Sequence, residues 1–376
     1  MSLPPSLPSL AQAKRIVVKI GSALLVDPAK AAPRMAWLEG MAEDIAALRA
    51  RGTDVIVVSS GAIALARRSL KLTQKKLRLE EKQAAAAVGQ IRLAQAWSEV
   101  LALQGLTAAQ MLLTLEDTED RRRYLNARAT LTTLAGLGCI AVINENDSVA
   151  TAEIRFGDND RLAARVAEMV QADHLILLSD IDGLYTGDPK RDASARHIPV
   201  VESMTTEIDA MGGEPPPGYS SGGMRTKLVA ARIATSAGCA MAIALGHVEH
   251  PLRALERGAP CTWFLPNPEG RTSRKRWIGG SLQPAGVLVV DAGAARALTR
   301  GKSLLPAGVK LVEGLFERGD PVEVRNEENA VLARGLSAYS SADAARIIGH
   351  QSSEFEALLG WRGRDEVIHR DDLVLL

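Results

Sequence analysis

One stretch of the chain, residues 139 to 162, constrains the fold more than any other. It opens with an uninterrupted apolar run, Cys139 to Ile143, which predicts a buried strand. Amide and carboxylate side chains follow in two clusters, Asn144 to Asp147 and Asp158 to Asp160. Since ligands of α/β sheets usually bind where strands end, the clusters indicate a polar pocket for a small zwitterion. Two Asx-rich surface turns are the alternative.

Two earlier strands end in residues suited to ligand binding. The run Arg15 to Ile20 carries Lys19 near its end and leads into Gly21-Ser22, which suggests an ammonium and backbone N–H groups facing a phosphate. A lysine reaching water from an edge strand is the alternative. The strand Asp54 to Val58 runs into Ser59-Ser60-Gly61-Ala62 and then a helix, whose first N–H groups are free for an anion or polar ligand. A plain tight turn would use the same residues.

A further strand and a later helix start extend this pattern. The strand His174 to Leu178 ends in Ser179-Asp180, where a nucleotide's ribose or base could be held. A loop rich in Pro and Gly, residues 212–223, leads to the helix Met224 to Ala237, with Lys227 one turn inside it. Free N–H groups beside a lysine fit a phosphate, whereas a capped surface helix is the alternative.

The remaining periodic runs predict alternating helices and strands. Helices are predicted at Met35–Arg51, Lys82–Leu103, Asp120–Leu137, Leu162–Gln171 and His250–Arg257, and strands at Thr107–Thr114 and Ala240–Leu245.

With 376 residues the chain is long enough for two domains. Residues 1–13 contain three prolines and lack the basic start of a signal peptide, which predicts a disordered tail. A first domain is expected over 14–265 and a Pro, Gly and charge-rich linker over 266–280. Residues 281–376 are expected to form a small β-rich, barrel-like domain. Its strand-like runs are Gly286–Val290, Gly308–Glu313, Val322–Val324 and Val331–Leu336.

Charge and cysteine usage limit the partners and the compartment. A formal net charge of +1 gives no bulk attraction to nucleic acid or to acidic membranes. No apolar run approaches the ~20 residues that a membrane span needs. Cys139, Cys239 and Cys261 form no C-x-x-C pair, so we expect buried free thiols in a reducing cytoplasm.

Beyond these patterns, the chain resembles the amino-acid kinase family, with a C-terminal part similar to a PUA domain. The resemblance covers nearly everything after the tail and rests on motifs that occur in order. They are V-V-K-I-G-S (17–22), S-S-G-A-I-A (59–64), I-N-E-N-D-S-V-A-T-A-E-I (143–154), F-G-D-N-D-R-L (156–162), L-L-S-D-I-D-G-L-Y-T-G-D-P (177–189), G-G-M-R-T-K (222–227), S-L-L-P-A-G-V (303–309) and H-R-D-D (369–372).

The resemblance implies an open αβα sandwich with a mainly parallel sheet. It implies ATP-dependent phosphorylation of the γ-carboxylate of L-glutamate to L-glutamyl 5-phosphate, the first step of proline biosynthesis. Mg²⁺ would be bound through the ATP phosphates rather than by protein ligands. Proline as a feedback inhibitor, a homo-oligomer and a cytoplasmic location are also implied, with no membrane or nucleic-acid partner.

Roles for individual residues follow from the same resemblance. Lys19 and Lys227 would flank the transferring phosphoryl group, and Asp160 would hold the two lysines in place. The glutamate-binding residues would be Ser60, Asp147 and Asn159, helped by Asn144 and Asp158. The ATP-binding residues would be Lys19, Gly21, Ser179, Asp180, Ser221, Gly222, Gly223, Met224, Arg225, Thr226 and Lys227.

One segment departs from the family pattern. The family usually has G-T-G-G-M before the second lysine, and here the residues are Ser220-Ser221-Gly222-Gly223-Met224, after a proline-rich loop. Because serine keeps a hydroxyl and can still cap the helix, we expect activity to survive.

Two alternatives remain open from the sequence. A kinase of the same fold could use aspartate, acetylglutamate or a nucleoside monophosphate, although the acidic pocket favours an acceptor with a free ammonium. The C-terminal domain could instead make this an RNA-binding or regulatory protein. Residues 281–376 carry 11 Lys and Arg against 14 Asp and Glu, a net charge of −3, whereas RNA-binding domains are usually basic. The only basic patch in favour of RNA is the linker segment Arg271 to Arg276.

Overall fold

The computed structural model describes most of the chain, in two compact units, residues 1–270 and 271–376. The described residues are 7–27, 29–72, 74, 77–149, 159–213, 223–268 and 283–376. Several predicted features lie outside them, namely the start of the tail, residues 151–158 of the polar stretch with Asp158, the proline-rich loop with Ser221 and Gly222, and most of the linker.

Strands and helices alternate along the first unit. Its strands, in chain order, are β1 (Arg15–Ile20), β2 (Val26–Asp27), β3 (Ala32–Pro33), β4 (Asp54–Ser59), β5 (Ala108–Leu113), β6 (Ile140–Glu145), β7 (His174–Ser179), β8 (Leu184–Tyr185), β9 (His197–Ile198), β10 (Val200–Val201), β11 (Ala240–Leu245) and β12 (Cys261–Phe264). Its helices are α1 (Ser22–Leu25), α2 (Met35–Ala50), α3 (Ala62–Arg67), α4 (Leu79–Leu103), α5 (Leu115–Glu119), α6 (Arg121–Gly136), α7 (Asn159–Met169), α8 (Thr206–Ala210), α9 (Met224–Ser236) and α10 (Pro251–Glu256).

Eight of these described strands form one sheet in the order β10-β12-β11-β7-β1-β4-β6-β5. Every neighbouring pair is parallel except β11 and β12. The central strands therefore end at the same edge. In register, Ile20 of β1 lies beside Ser59 of β4, and Val58 lies beside Ile143 of β6. This edge collects the polar residues that follow each strand.

Helices cover both faces of the sheet, because the central strands are apolar on each side. Ile16 and Val18 of β1 pack in one core with α2, α3 and α4, whereas Val17 packs in a second core with α6, α7 and α9. The predicted αβα sandwich with a mainly parallel sheet is thus confirmed.

Two element boundaries differ from the prediction and both affect the polar edge. The strand β6 continues through Asn144 and Glu145, which are buried within the sheet rather than following it. The helix α7 already includes Asn159 and Asp160, where the prediction began at Leu162. Asn144 and Asn159 occupy buried positions because they bond each other, and Asp160 does so because it pairs with two lysines. Hydrophobic periodicity reveals neither arrangement.

Part of the predicted disordered tail has a defined structure, which corrects that prediction for residues 9–13. Leu10–Gln12 form a short 3₁₀ helix, and Leu10 is 2% exposed within the first core. The hydroxyl of Thr53 donates to the carbonyl of Ala13 at 2.9 Å. Burial of one leucine and a paired backbone hold this segment, despite the prolines that precede it.

The second unit has its own sheet and its own hydrophobic core. Its described strands are β13 (Gly286–Val290), β14 (Val309–Gly314), β15 (Pro321–Arg325), β16 (Val331–Leu336) and β17 (Leu373–Leu375), in the order β14-β13-β15-β16-β17. Three helices, α11 (Ala292–Thr299), α12 (Ser341–Ile347) and α13 (Phe355–Leu359), lie between them. All four predicted strand runs are found, which confirms a β-rich C-terminal region.

Within the described ranges, no helix combines the length and the apolar character that crossing a membrane requires.

Candidate active site

A buried carboxylate lies between two buried lysines at the polar edge of the sheet. Lys19, near the end of β1, places its Nζ 2.7 Å from Oδ1 of Asp160 in α7. Lys227, in the first turn of α9, places its Nζ 3.2 Å from Oδ2 of the same residue. Both lysines are 6% exposed as whole residues, and Asp160 is fully buried. We call these three residues the lysine–aspartate cluster.

Electrostatics favour the ionised form of Asp160. Burial by itself would raise the pKa of Asp160, but the charges of Lys19 and Lys227 outweigh it and hold the pKa below its ordinary value. The hydroxyl of Thr226 adds a hydrogen bond by donating to Oδ2 of Asp160 at 2.9 Å. Two ammonium groups and one carboxylate leave a net charge of +1, which suits a site that receives an anionic group.

A second group of polar side chains forms a chain of amide hydrogen bonds. The Nδ2 of Asn159 lies 2.6 Å from the hydroxyl of Ser60, 3.1 Å from Oδ1 of Asn144 and 3.3 Å from the carbonyl of Ser59. Asn144 in turn donates from its Nδ2 to Oε1 of Gln90 at 2.7 Å. We call Gln90, Asn144, Asn159 and Ser60 the amide network.

The turn after β4 is held in position from the side of α4. Ser59 is fully buried, and the indole Nε1 of Trp97 donates to its hydroxyl at 3.0 Å. Gly61 follows with φ of +111°, a conformation that residues with a side chain rarely adopt. The turn thus presents Ser60 at a defined place beside the start of α3.

Asp147 lies beyond the end of β6, in a turn that is partly buried. Burial raises the pKa of Asp147 to about 6, because it disfavours the charged form of the carboxyl group. A cationic partner would stabilise the charged form of this partly buried carboxylate. This makes Asp147 a good receptor for an ammonium group.

Those predicted ATP-binding residues that the structure describes lie at three places on the same edge. Gly21 precedes α1, and a Cβ built on it would lie 3.9 Å from Nζ of Lys19. At the end of β7, the hydroxyl of Ser179 donates to Oδ1 of Asp180 at 3.1 Å, with Ser179 buried and Asp180 exposed. Gly223 caps α9 in an extended conformation, and the described residues Met224, Arg225, Thr226 and Lys227 follow in its first turn.

The structure thus places Thr226 beside the lysine–aspartate cluster, and it brings the predicted residues Ser60, Asn144 and Asn159 together in the amide network. Asn159 and Asp160 are adjacent in α7, so this helix joins the two clusters. Ser179 and Asp180 pair with each other at the neighbouring strand end.

Sequence analysis missed two residues that support the site, Gln90 and Trp97. They are seven residues apart on α4, so they share one face of that helix. The Ala-rich sequence of α4 indicates close packing but not which polar side chain reaches the sheet edge. The close approach itself depends on Gly89, since a Cβ there would lie 1.7 Å from the carbonyl oxygen of Ala62.

Comparisons with known proteins agree with this geometry. The model of the amino acid kinase family matches residues 14–244, and the PUA domain model matches residues 286–359. A glutamate 5-kinase of Gluconobacter oxydans is 65% identical over 375 residues, which cover 100% of this chain and 99% of that protein. Glutamate 5-kinases of Paramagnetospirillum magneticum and Paracoccus denitrificans are 64% and 59% identical, over 97% and 98% of this chain and 99% of each relative.

The family model alone covers more than half of the chain, and the relatives match along nearly all of it. The resemblance inferred from the motifs is confirmed, and the RNA-binding alternative is not favoured. The chain belongs to the amino acid kinase family and carries a C-terminal PUA domain.

Proposed function

We propose that this protein transfers the γ-phosphoryl group of ATP to the γ-carboxylate of L-glutamate, forming L-glutamyl 5-phosphate in the first step of proline biosynthesis. The observation that carries the proposal is the position of the lysine–aspartate cluster directly beside the amide network. One part is suited to a phosphoryl group and the other to a small polar acceptor. Relatives that are named glutamate 5-kinases match the whole chain at high identity.

The lysine–aspartate cluster would stabilise charge on the transferring phosphoryl group. Phosphoryl transfer depends mainly on positioning and on neutralising the oxygens of that group. Lys19 and Lys227 come from different elements, and Asp160 fixes both ammonium groups at 2.7 and 3.2 Å. Their orientation is therefore set before ATP binds, which is what makes such charges effective in a transition state.

The acceptor needs no general base. A carboxylate is already ionised at pH 7, so it can attack phosphorus directly once it is positioned. We assign this positioning to Ser60, Asn144 and Asn159, which can donate to or accept from a bound amino acid. Asp147 would accept from the ammonium group, and Asp158, outside the described residues, is proposed to help.

For ATP we propose the residues around the two lysines and at the end of β7. The helix α9 begins at Met224, one turn before the ammonium of Lys227, and the first N–H groups of a helix beside an ammonium are a combination that binds phosphates. Gly21 lies two residues after Lys19, and its Cβ position is 3.9 Å from Nζ of Lys19. Ser179 and Asp180 would contact the nucleoside part, and Ser221 and Gly222 would join the phosphate contacts.

The described residues contain no group of three or more His, Cys, Asp or Glu side chains arranged to hold a metal ion. From the resemblance to the family, we propose that Mg²⁺ is held by the phosphate oxygens of ATP. When bound, it would supply additional positive charge to those phosphates.

A panel of acceptors tests the proposal. ADP release is measured with Mg-ATP and L-glutamate, L-aspartate, N-acetylglutamate or uridine monophosphate, and hydroxylamine is added to trap an acyl phosphate. We expect turnover and hydroxamate with L-glutamate, and a fall of kcat by at least about 10²-fold in Lys227→Ala. Lys310→Ala is the matched control, because Lys310 is an exposed lysine in β14. This variant should keep the kcat of the wild-type protein.

Preference for N-acetylglutamate or uridine monophosphate, or ADP release without hydroxamate, would contradict the proposal. Inhibition by proline, assembly into a homo-oligomer and a cytoplasmic location remain predictions. Adding proline to the same assay and measuring the mass of the purified protein in solution test the first two.

A further inference from the structure

Gln90 occupies a place in α4 that main-chain packing holds against the active-site edge. The preceding residue, Gly89, leaves no room for a side chain, because a Cβ there would lie 1.7 Å from the carbonyl oxygen of Ala62. Ala62 begins α3 directly after the Ser60-Gly61 turn. The helix that carries Gln90 is therefore in contact with the segment that carries Ser60.

The hydrogen bonds of the amide network have only one consistent direction. The backbone carbonyl of Ser59 can only accept, so the group of Asn159 that faces it is the Nδ2 donor. Asn144 must then present Oδ1 to Asn159, which turns its Nδ2 toward Gln90. Gln90 therefore has to offer an acceptor, and its Oε1 does so at 2.7 Å.

The direction of these hydrogen bonds also determines which acceptor atom is available to a ligand. All the contacts of Asn159 use its Nδ2, whereas its Oδ1 is buried and has no hydrogen-bond partner in the described part of the chain. A reversed amide would lose the bonds to Ser59 and Asn144. The orientation of this acceptor thus depends on Asn144, and that of Asn144 depends on Gln90.

We propose that Gln90 is a positioning residue of the acceptor site, acting through Asn144 to orient the amide of Asn159 and the hydroxyl of Ser60. This inference rests on the proposed function, in which that site binds L-glutamate. Gln90 itself touches neither substrate. Its role is to supply the acceptor that terminates the amide network.

Two substitutions separate the hydrogen bond from the shape of the side chain. Gln90→Met keeps the length and loses the acceptor, whereas Gln90→Glu keeps an acceptor oxygen. We expect Gln90→Met to raise KM for L-glutamate by about fivefold to tenfold, the effect of losing one buried hydrogen bond. KM for ATP should stay unchanged, and Gln90→Glu should restore most of the affinity for L-glutamate.

Gln95→Met is the matched control, because Gln95 lies on the same helix and forms an exposed pair with Glu99, away from the amide network. It should leave both KM values unchanged. An unchanged KM for L-glutamate in Gln90→Met, or a Gln90→Glu variant as impaired as Gln90→Met, would overturn the proposal.

A double variant tests whether Gln90 acts through Asn144. If it does, Gln90→Met combined with Asn144→Ala should raise KM no further than Asn144→Ala alone, since residues in one network are not additive. Additive effects would mean that Gln90 acts by another route, and the proposal would be wrong.

A measurement without substrate distinguishes this inference from the proposed function. With ¹⁵N-labelled asparagine, the side-chain amide signals of Asn144 and Asn159 should shift in Gln90→Met but not in Gln95→Met. If the wild-type protein phosphorylated none of the acceptors, the proposed function would fail and these signals would still decide the role of Gln90. Unshifted signals would overturn it.

Discussion

The ammonium of Lys19 lies 2.7 Å from Oδ1 of Asp160, in a place where the side chains are 8% and 0% exposed. Lys227 approaches the other carboxylate oxygen at 3.2 Å. A buried carboxylate with an ammonium at each oxygen couples three elements, β1, α7 and α9. Its removal would leave two cations in a region from which water is largely excluded.

We therefore expect Asp160→Asn to lower both stability and activity. Loss of one partner from a buried ion pair costs about 3–5 kcal/mol of unfolding free energy, because the remaining charge stays buried and uncompensated. Since the pKa of Asp160 is held below its ordinary value, the contribution is present at neutral pH and is lost as the pH falls through the acid range. Urea unfolding at pH 7.5, about three units above the usual carboxyl range, measures it.

Asp54→Asn is the matched control for this variant. Asp54 also bridges two cations, Arg15 at 3.0 Å and Arg49 at 2.5 Å, but its side chain is 27% exposed. We expect a loss of only about 1 kcal/mol, since solvent screens partly exposed pairs. Equal losses for the two variants would show that burial does not set the strength of the lysine–aspartate cluster.

The affinity for L-glutamate should depend on the protonation of Asp147. Burial raises the pKa of Asp147 to about 6, and only the carboxylate form attracts an ammonium group. As the pH falls through this value, the carboxylate is protonated and kcat/KM for L-glutamate should decrease. The pH profile of kcat/KM reports the free enzyme and is the measurement to make.

Asp147→Asn provides the comparison for the pH profile. This variant cannot ionise, so its kcat/KM should be low throughout and should lack the inflection near pH 6. An inflection that persists in Asp147→Asn would assign it to another group and contradict the role of Asp147.

Much of the site could be predicted from polar residues at or just beyond the ends of strands. Lys19, Ser60 and Ser179 lie at the strand ends where apolar runs stop, and parallel pairing brings those ends together. That these three residues lie close together in space therefore follows from the local sequence and the geometry of a parallel sheet. The predicted strand Arg15–Ile20 is found with the same bounds.

Other features depend on contacts between residues that are distant in sequence. Asn144 is buried within β6 because it bonds Gln90, 54 residues earlier, and Asn159, 15 residues later. No periodicity signals such a pair, since each amide alone resembles a turn residue. The pairing of Trp97 with Ser59 escapes prediction for the same reason.

The C-terminal unit should be dispensable for chemistry. The residues proposed for phosphoryl transfer all lie in the first unit, and the second unit has a separate core that includes Leu288, Val324 and Phe355. We expect deletion of residues 281–376 to leave glutamate phosphorylation intact and to alter its regulation or metal dependence. A truncated protein that is folded by circular dichroism but inactive would show that the C-terminal unit is needed for catalysis.

Two helical glycines should respond in opposite ways to the same substitution. In Gly89→Ala the new Cβ would meet the carbonyl oxygen of Ala62 at 1.7 Å, so α4 must move away from α3. Such overpacking typically costs about 1–3 kcal/mol, and the shift would also displace Gln90 and Trp97. We expect a lower unfolding temperature together with a higher KM for L-glutamate.

Gly136, at the end of α6, provides the comparison. Apart from its own helix and chain neighbours, no atom of the described residues lies within 4 Å of its Cβ position, so Gly136→Ala should stabilise the protein by up to about 1 kcal/mol. Thermal unfolding of the two variants beside the wild-type protein makes the comparison, and a Gly89→Ala variant as stable as Gly136→Ala would contradict the tight packing of α4 on α3.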